Sequence, residues 1–202
     1  MFTLSAPYKQ KYNHQKAQRF STWLGIISIA MAFGGWTSAY LVRKAVGGWM
    51  SFTLPSVFWV STIVILLSSV TLHLAHIANK RGLTGLLRMF LFLTFGFGVA
   101  FLALQLDGWK QLQSLGVYHD GNVAGSFFYV ITWGHAVHIV LALLLVFIAF
   151  VRSFFVINMK NVSHFYENDT DFYKIRTDIL SPFWHFLDFL WIYIFIFLNL
   201  NH

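Results

Sequence analysis

Cysteine is absent from the 202 residues, which rules out disulfides, Cys-ligated zinc and iron–sulfur clusters. Charge is scarce: 10% of residues are charged, where a soluble domain carries about 25%. Proline occurs three times, and none of the three stands midway along an apolar run. The first twenty residues lack the apolar core, roughly 7–15 residues long, of a cleavable leader. They are polar instead and hold Lys9, Lys11, Lys16 and Arg19, so the first apolar run is expected to serve as its own insertion signal. What fills the chain is apolar: 57% hydrophobic residues, 19% aromatic residues and a mean hydropathy of +0.64. Two hundred residues cannot enclose that much apolar surface in a soluble core, so lipid must cover it.

A helix needs about 20 residues to cross roughly 30 Å of hydrocarbon. Five runs meet or approach that length, at about 21–42, 55–78, 83–105, 123–151 and 182–200. Each is continuous, whereas a membrane β-strand alternates polar and apolar positions over about ten residues. The reading is an all-α membrane protein of five transmembrane helices forming a single membrane domain over 1–202.

Basic residues near the span ends set orientation. With the N-terminus cytoplasmic, the inner segments hold Lys9, Lys11, Lys16, Arg19, Lys80, Arg81, Arg88, Arg152, Lys160, Lys174 and Arg176; the outer ones hold only Arg43, Lys44 and Lys110. The expectation is therefore a cytoplasmic N-terminus and, after five spans, an outside C-terminus. The net charge of +7 lies in these short connections and forms no face for nucleic acid. One connection is long, a cytoplasmic loop over 152–181 with Glu167, Asp169, Asp171 and Asp178. It reads either as a docking surface or as a solvated linker. The sequons at Asn161 and Asn168 fall on this inner side, so glycosylation is not expected.

Ionisable side chains at membrane depth cost at least about 2.5–3.5 kcal/mol to insert and mark candidate sites. His73 and His76 fall near the inner end of the second span, and His185 and Asp188 near the inner end of the fifth. Arg88 opens the third span and Arg152 closes the fourth, so all six are expected in one polar layer. His185 and Asp188 stand three apart on one helix face, and a carboxylate beside an imidazole favours the imidazolium. Such a layer suits a phosphate-bearing lipid, or else consists of snorkelling anchors.

His135 and His138, also three apart, fall near the centre of the fourth span. Structural hydrogen bonds are the common fate of such residues; one haem, or zinc held by the pair with others, is the alternative. Gly34, Gly35, Ser38 and Ala39, with Gly96 and Gly98, signal close helix packing. No metalloprotease, hydrolase or nucleotide-binding motif occurs.

The segment Gly125-Ser126-Phe127-Phe128-Tyr129-Val130-Ile131-Thr132-Trp133-Gly134-His135-Ala136-Val137-His138 resembles the GS-x-FF-x-x-TGFHGLHV stretch of the haem–copper (cytochrome c) oxidase subunit III family. Phe183-Trp184-His185-Phe186-Leu187-Asp188-Phe189-Leu190-Trp191 resembles that family's YWHFVDVVW, with Asp178 at an acidic position six residues before Trp184. Ser68-Ser69-Val70-Thr71-Leu72-His73 resembles its SSFTMH. Gln105 and Trp109 match the ends of its Q-x-x-E-W, and Ser38-Ala39-Tyr40 a segment closing its first conserved span. The likeness runs from about Trp23 to Leu198 and fits the short five-helix bacterial-type form, whose topology agrees with the one read from charge.

The resemblance implies an accessory subunit of the bacterial inner membrane that carries no catalytic centre, haem, copper or other metal of its own. Haem and copper would reside in partner subunits, with catalytic subunit I among the partners and a larger respiratory supercomplex left open. The complex would reduce oxygen while pumping protons, with electrons from cytochrome c or quinol; a nitric-oxide-reductase-associated relative is the variant reading. Phospholipid binding is expected at His73, Arg152, Trp184, His185 and Asp188, with His76, His135, His138 and Trp191 as structural polar or packing residues. Two positions depart from the family. Ile29 follows Ser28 where a glutamate linked to proton uptake is typical, and Gly108 fills the acidic place of Q-x-x-E-W, with Asp107 just before it. A single-haem membrane cytochrome is the rival from another class. A transporter or channel would need broken spans or a polar pore, and neither is visible in the sequence.

Overall fold

A computed structural model of the chain describes residues 6–160 and 177–201, with side chains over 16–155 and 177–201. Among the described residues the regular structure is five α-helices: α1 (Ala6–Ala45), α2 (Val57–Lys80), α3 (Thr84–Ser114), α4 (Val123–Lys160) and α5 (Thr177–Asn201). Each includes a stretch long and apolar enough to cross a membrane. In hydrocarbon every backbone N–H and C=O must be satisfied within its own segment, which leaves the helix as the answer for continuous apolar runs.

The helices overrun the apolar spans expected from sequence. α1 begins at Ala6 rather than near 21, α3 runs on to Ser114 rather than 105, and α4 continues to Lys160. α5 starts at Thr177 and places Pro182 inside the helix. Hydropathy reports where lipid ends, while helical hydrogen bonding continues wherever nothing interrupts it. Pro182 costs one backbone hydrogen bond without ending the first turn, and Asp178 in that turn opposes the positive helix end. The long connection expected over 152–181 therefore shortens at both ends. Residues 161–176, including Asn161, Glu167, Asn168, Asp169 and Asp171, lie outside the described residues.

Two connections end in the same way. After α2, Gly82 takes φ +70°, its N–H bonds to Asn79 O at 3.2 Å and that of Leu83 to Ala78 O at 3.0 Å. After α3, Gly116 takes φ +81°, with matching bonds from Gly116 to Gln113 O and from Val117 to Leu112 O, both 3.0 Å. This pair of bonds around a left-handed residue is a Schellman cap, which glycine adopts without steric cost. The start of α4 is capped by Asn122, whose Oδ1 accepts the Gly125 N–H at 2.6 Å.

α2 and α3 form a tight hairpin; α4 packs on α3; α5 closes the ring by packing on both α4 and α2. α1 lies outside this four-helix ring, against α4 and α5. Thr37 Oγ1 meets Tyr193 Oη at 2.8 Å, and Tyr40 Oη and Lys44 Nζ both donate to Asn201 O. A Cβ on Gly134 would lie 2.6 Å from the Trp36 ring, so glycine there lets α1 seat against α4. The outer faces of α1 and α4 expose Trp23, Ile27, Met31, Val137, Leu141 and Leu144, as lipid-facing or subunit-facing surfaces must.

Of the glycines expected to permit close packing, Gly98 does so: its Cβ would meet Leu143 Cδ2 at 2.6 Å and Trp184 at 3.1 Å. Gly34, Gly35 and Gly96 have open space instead. Gly108 is a contact that the sequence did not reveal, since its Cβ would strike the Phe58 ring at 2.7 Å. Gly108→Ala should destabilise the bundle by about 1–3 kcal/mol, the typical range for an overpacked core. Gly96→Ala should be neutral or slightly stabilising. Thermal unfolding in detergent separates the two, and equal melting temperatures would contradict the packing described.

Candidate functional site

The spacing of His73, His76 and Asn79 places them on one face of α2, turned towards the start of α5. Ser69 Oγ lies 2.6 Å from His185 Nδ1, and the His73 and His185 rings approach to 6.2 Å between centroids. Asp188 Oδ2 is 3.9 Å from the same Nδ1, within ion-pair range and beyond hydrogen-bond reach. Serine, histidine and aspartate thus meet, yet both partners address one ring nitrogen. A hydrolytic triad needs hydroxyl and carboxylate on opposite nitrogens. This cluster therefore joins α2 to α5 and does not activate a nucleophile.

One turn further out, His76 Nδ1 is 2.9 Å from Thr177 Oγ1, and Asn79 Nδ2 donates to that same hydroxyl at 2.9 Å. Arg19 of α1 then reaches across to Asp178 of α5 with a 2.8 Å ion pair. Between α1, α2 and α5 lies a half-open cavity of about 520 Å³, lined by Arg19, Trp23, His73, His76, Lys80 and Asp178, among others.

The single polar layer expected from sequence divides into two. His73, His76, His185 and Asp188 gather between α2 and α5. On the other side of the ring, Arg88 donates to Ser153 O at 3.1 Å and lies 4.2 Å above the Phe154 ring, beside the exposed Arg152. Helix rotation, which depth alone does not specify, makes the difference. Two lipid candidates also change character. Trp184 is wholly buried, at 0% exposure, against Gly98, so its indole is a core element and is closed off from any headgroup. Asp188 is 3% exposed and reaches outward only through His185. His185 itself is part-exposed, and His73 is open.

His135 is buried in a box of rings. It stacks on Trp191 at 5.3 Å and 30° and meets Phe101 edge-on at 6.0 Å and Phe33 at 6.5 Å. That box leaves no space on the imidazole for a haem plane. His138 holds its own helix, with Nδ1 2.6 Å from Gly134 O. Among the described residues no group of three His, Cys, Asp or Glu side chains converges as metal ligands would. Trp191 donates to Thr62 Oγ1 at 3.0 Å, a contact that supports packing.

A ring of four helices with one appended helix, polar at one end and closed by aromatics at its centre, is the build of a multi-pass membrane subunit. The family model for cytochrome c oxidase subunit III matches residues 47–201, and the chain belongs to that family. Similar proteins include the cytochrome bo(3) ubiquinol oxidase subunit 3 of Buchnera aphidicola subsp. Acyrthosiphon pisum, 31% identical over 70% of this chain and 64% of that one. The corresponding protein of Pseudomonas putida is 30% identical over 67% of this chain and 60% of its own. A probable cytochrome c oxidase subunit 3 of Mycobacterium bovis is 31% identical over 66% and 61%. The chain matches under two thirds of the length of each of these three. It is a multi-pass protein of the bacterial inner membrane. The family match stops short of α1, so the correspondences at Ser28, Ile29 and Ser38-Ala39-Tyr40 stand outside it.

Replacing Trp184 by Ala should cost about 3–5 kcal/mol, as for other large aromatic truncations in a core, whereas His73→Ala should change stability little. Denaturation in detergent checks this, and a mild Trp184 effect would return the indole to the surface.

Proposed function

We propose that the chain is an accessory subunit of a haem–copper terminal oxidase that packs on the catalytic subunit and holds phospholipid at its cytoplasmic rim. The observation that carries this reading is the family match over three of every four residues, joined to a bundle whose centre is occupied by packed rings. Oxygen reduction and proton pumping would belong to the complex, with haem and copper in its other subunits. Relatives named for ubiquinol oxidases and for cytochrome c oxidases both match at about 30% identity, so the electron donor is set by the partners. The boxed His135 disfavours the single-haem cytochrome. Lipid at the rim is supported by the open His73, the part-exposed His185 and the exposed Arg152.

The intact complex, solubilised gently, should bring this chain down with a larger haem-bearing subunit, and the separated chain should show no Soret band. A Soret band from the pure chain would overturn the assignment. Arg152→Ala should reduce the anionic phospholipid that copurifies, and an unchanged lipid content would leave Arg152 as a simple anchor.

A further inference from the structure

At the centre of the ring each of the four helices brings a polar side chain to one level. Ser61 and Thr62 stand on α2, Gln105 on α3, His135 on α4 and the Trp191 indole on α5. The contacts fix that level. Gln105 Nε2 donates to Ser61 Oγ at 3.1 Å, and the Trp191 indole donates to the neighbouring Thr62 Oγ1 at 3.0 Å. Phe101, one turn before Gln105 on α3, lies 5.1 Å from Trp191 and 6.0 Å from His135 between ring centroids. α4 runs antiparallel to α3, with Leu143 beside Gly98 and the Tyr129 hydroxyl on the Trp109 carbonyl. That alignment brings His135 about level with Gln105.

Hydrogen bonding is incomplete at two of these positions. Gln105 is 2% exposed and His135 1%, so neither reaches bulk water. Gln105 Oε1 and both ring nitrogens of His135 are buried without a hydrogen-bond partner among the described residues. Turning the amide over changes nothing, since one of its polar atoms faces Ser61 and the other is left. Exchanging the imidazole tautomer changes nothing either, because a neutral ring always has one donor and one acceptor nitrogen. An unpaired polar group is costly in so apolar a setting, and buried polar groups nearly always find a protein or water partner.

We propose that one buried water molecule binds between Gln105 and His135 and bridges α3 to α4. Water both donates and accepts, so it pairs with the amide and the imidazole in either orientation. A metal ion would need further ligands, and among the described residues no group of three His, Cys, Asp or Glu side chains converges. Ser61, Thr62, Gln105 and Trp191 are neutral, so an anion or cation would lack a counter-charge. Bulkier molecules are kept out by the rings around the imidazole, with Trp191 stacked on it and Phe33 and Phe101 edge-on. The bridge completes a polar layer across the ring. Acyl chains give packed helices little preference for depth, and a layer that is satisfied in one register supplies that preference for α4.

The bound water and its effect on stability are measured separately. The full chain is purified in mild detergent with 15N-labelled histidine, and the His135 ring N–H is assigned by its contacts with the Trp191 and Phe101 rings. A direct magnetisation-transfer peak from water to that N–H is expected by NMR. A His135 N–H without water contact would overturn the proposal, whether the ring is unpaired or bonded directly to Gln105. In thermal unfolding, His135→Phe keeps a ring in the aromatic box and should lower the melting temperature by roughly 2–8 °C, the effect of leaving a buried acceptor unpaired. Gln105→Met should act likewise, and the double variant should fall no further than the worse single variant, since one bridge is lost once. A His135→Phe chain that melts as high as the wild type, or additive losses in the double variant, would equally overturn it.

Discussion

Trp191 on α5 touches every other helix of the ring. Its indole donates to Thr62 and lies near Phe58 on α2, meets Phe101 of α3 edge-on, and stacks on His135 of α4. In lipid there is little hydrophobic force between helices, because acyl chains are as apolar as leucine; shape and polar contacts hold them instead. A large flat ring with one polar atom supplies both at once. Trp184, two turns earlier on the same face, does the equivalent against Gly98 and Leu143. The rest of the bundle is arranged around these two indoles. α3 can approach because Gly98 lacks a side chain, and α2 and α3 then meet through Gln105 on Ser61 and Thr71 on Thr94.

That central arrangement explains why the architecture was readable from the sequence and the polar site only in part. Span number, helical class and rough bounds depend on hydropathy along the chain, a one-dimensional property. The grouping of His73, His76 and His185 was legible because helical spacing puts the first two on one face. Arg152 was placed with them by depth, and depth does not say which side of a bundle a residue faces. Trp184 reads as an interfacial aromatic by composition and position. Its burial follows from Gly98 on another helix, a partner 86 positions away that no local pattern indicates. The Arg19–Asp178 pair is likewise a contact between chain segments 159 residues apart.

The two departures from the family pattern have local accounts. Gly108 stands where an acidic residue is usual, and the Phe58 ring occupies the space that any side chain there would need. Ile29 replaces a glutamate within α1 and packs as a part-buried residue on the aromatic core. An apolar side chain at that depth avoids the cost of inserting a carboxylate, and it leaves α1 with no Asp, Glu, His, Lys or Arg between Arg19 and Arg43.

The position of α1 follows from the same logic. It is the helix outside the ring and outside the family match, and it is attached at three heights: Arg19 to Asp178, Thr37 to Tyr193, and Tyr40 with Lys44 to the Asn201 carbonyl. Between the first two attachments its outward side is lined by Trp23, Ile27 and Met31. A helix held by a few polar ties, with space left beside α2, cannot fill that space with its own side chains. The first of these ties, Arg19 to Asp178, is exposed on both sides and lines the space between α1, α2 and α5, so it adds little to the hold supplied by Thr37, Tyr40 and Lys44.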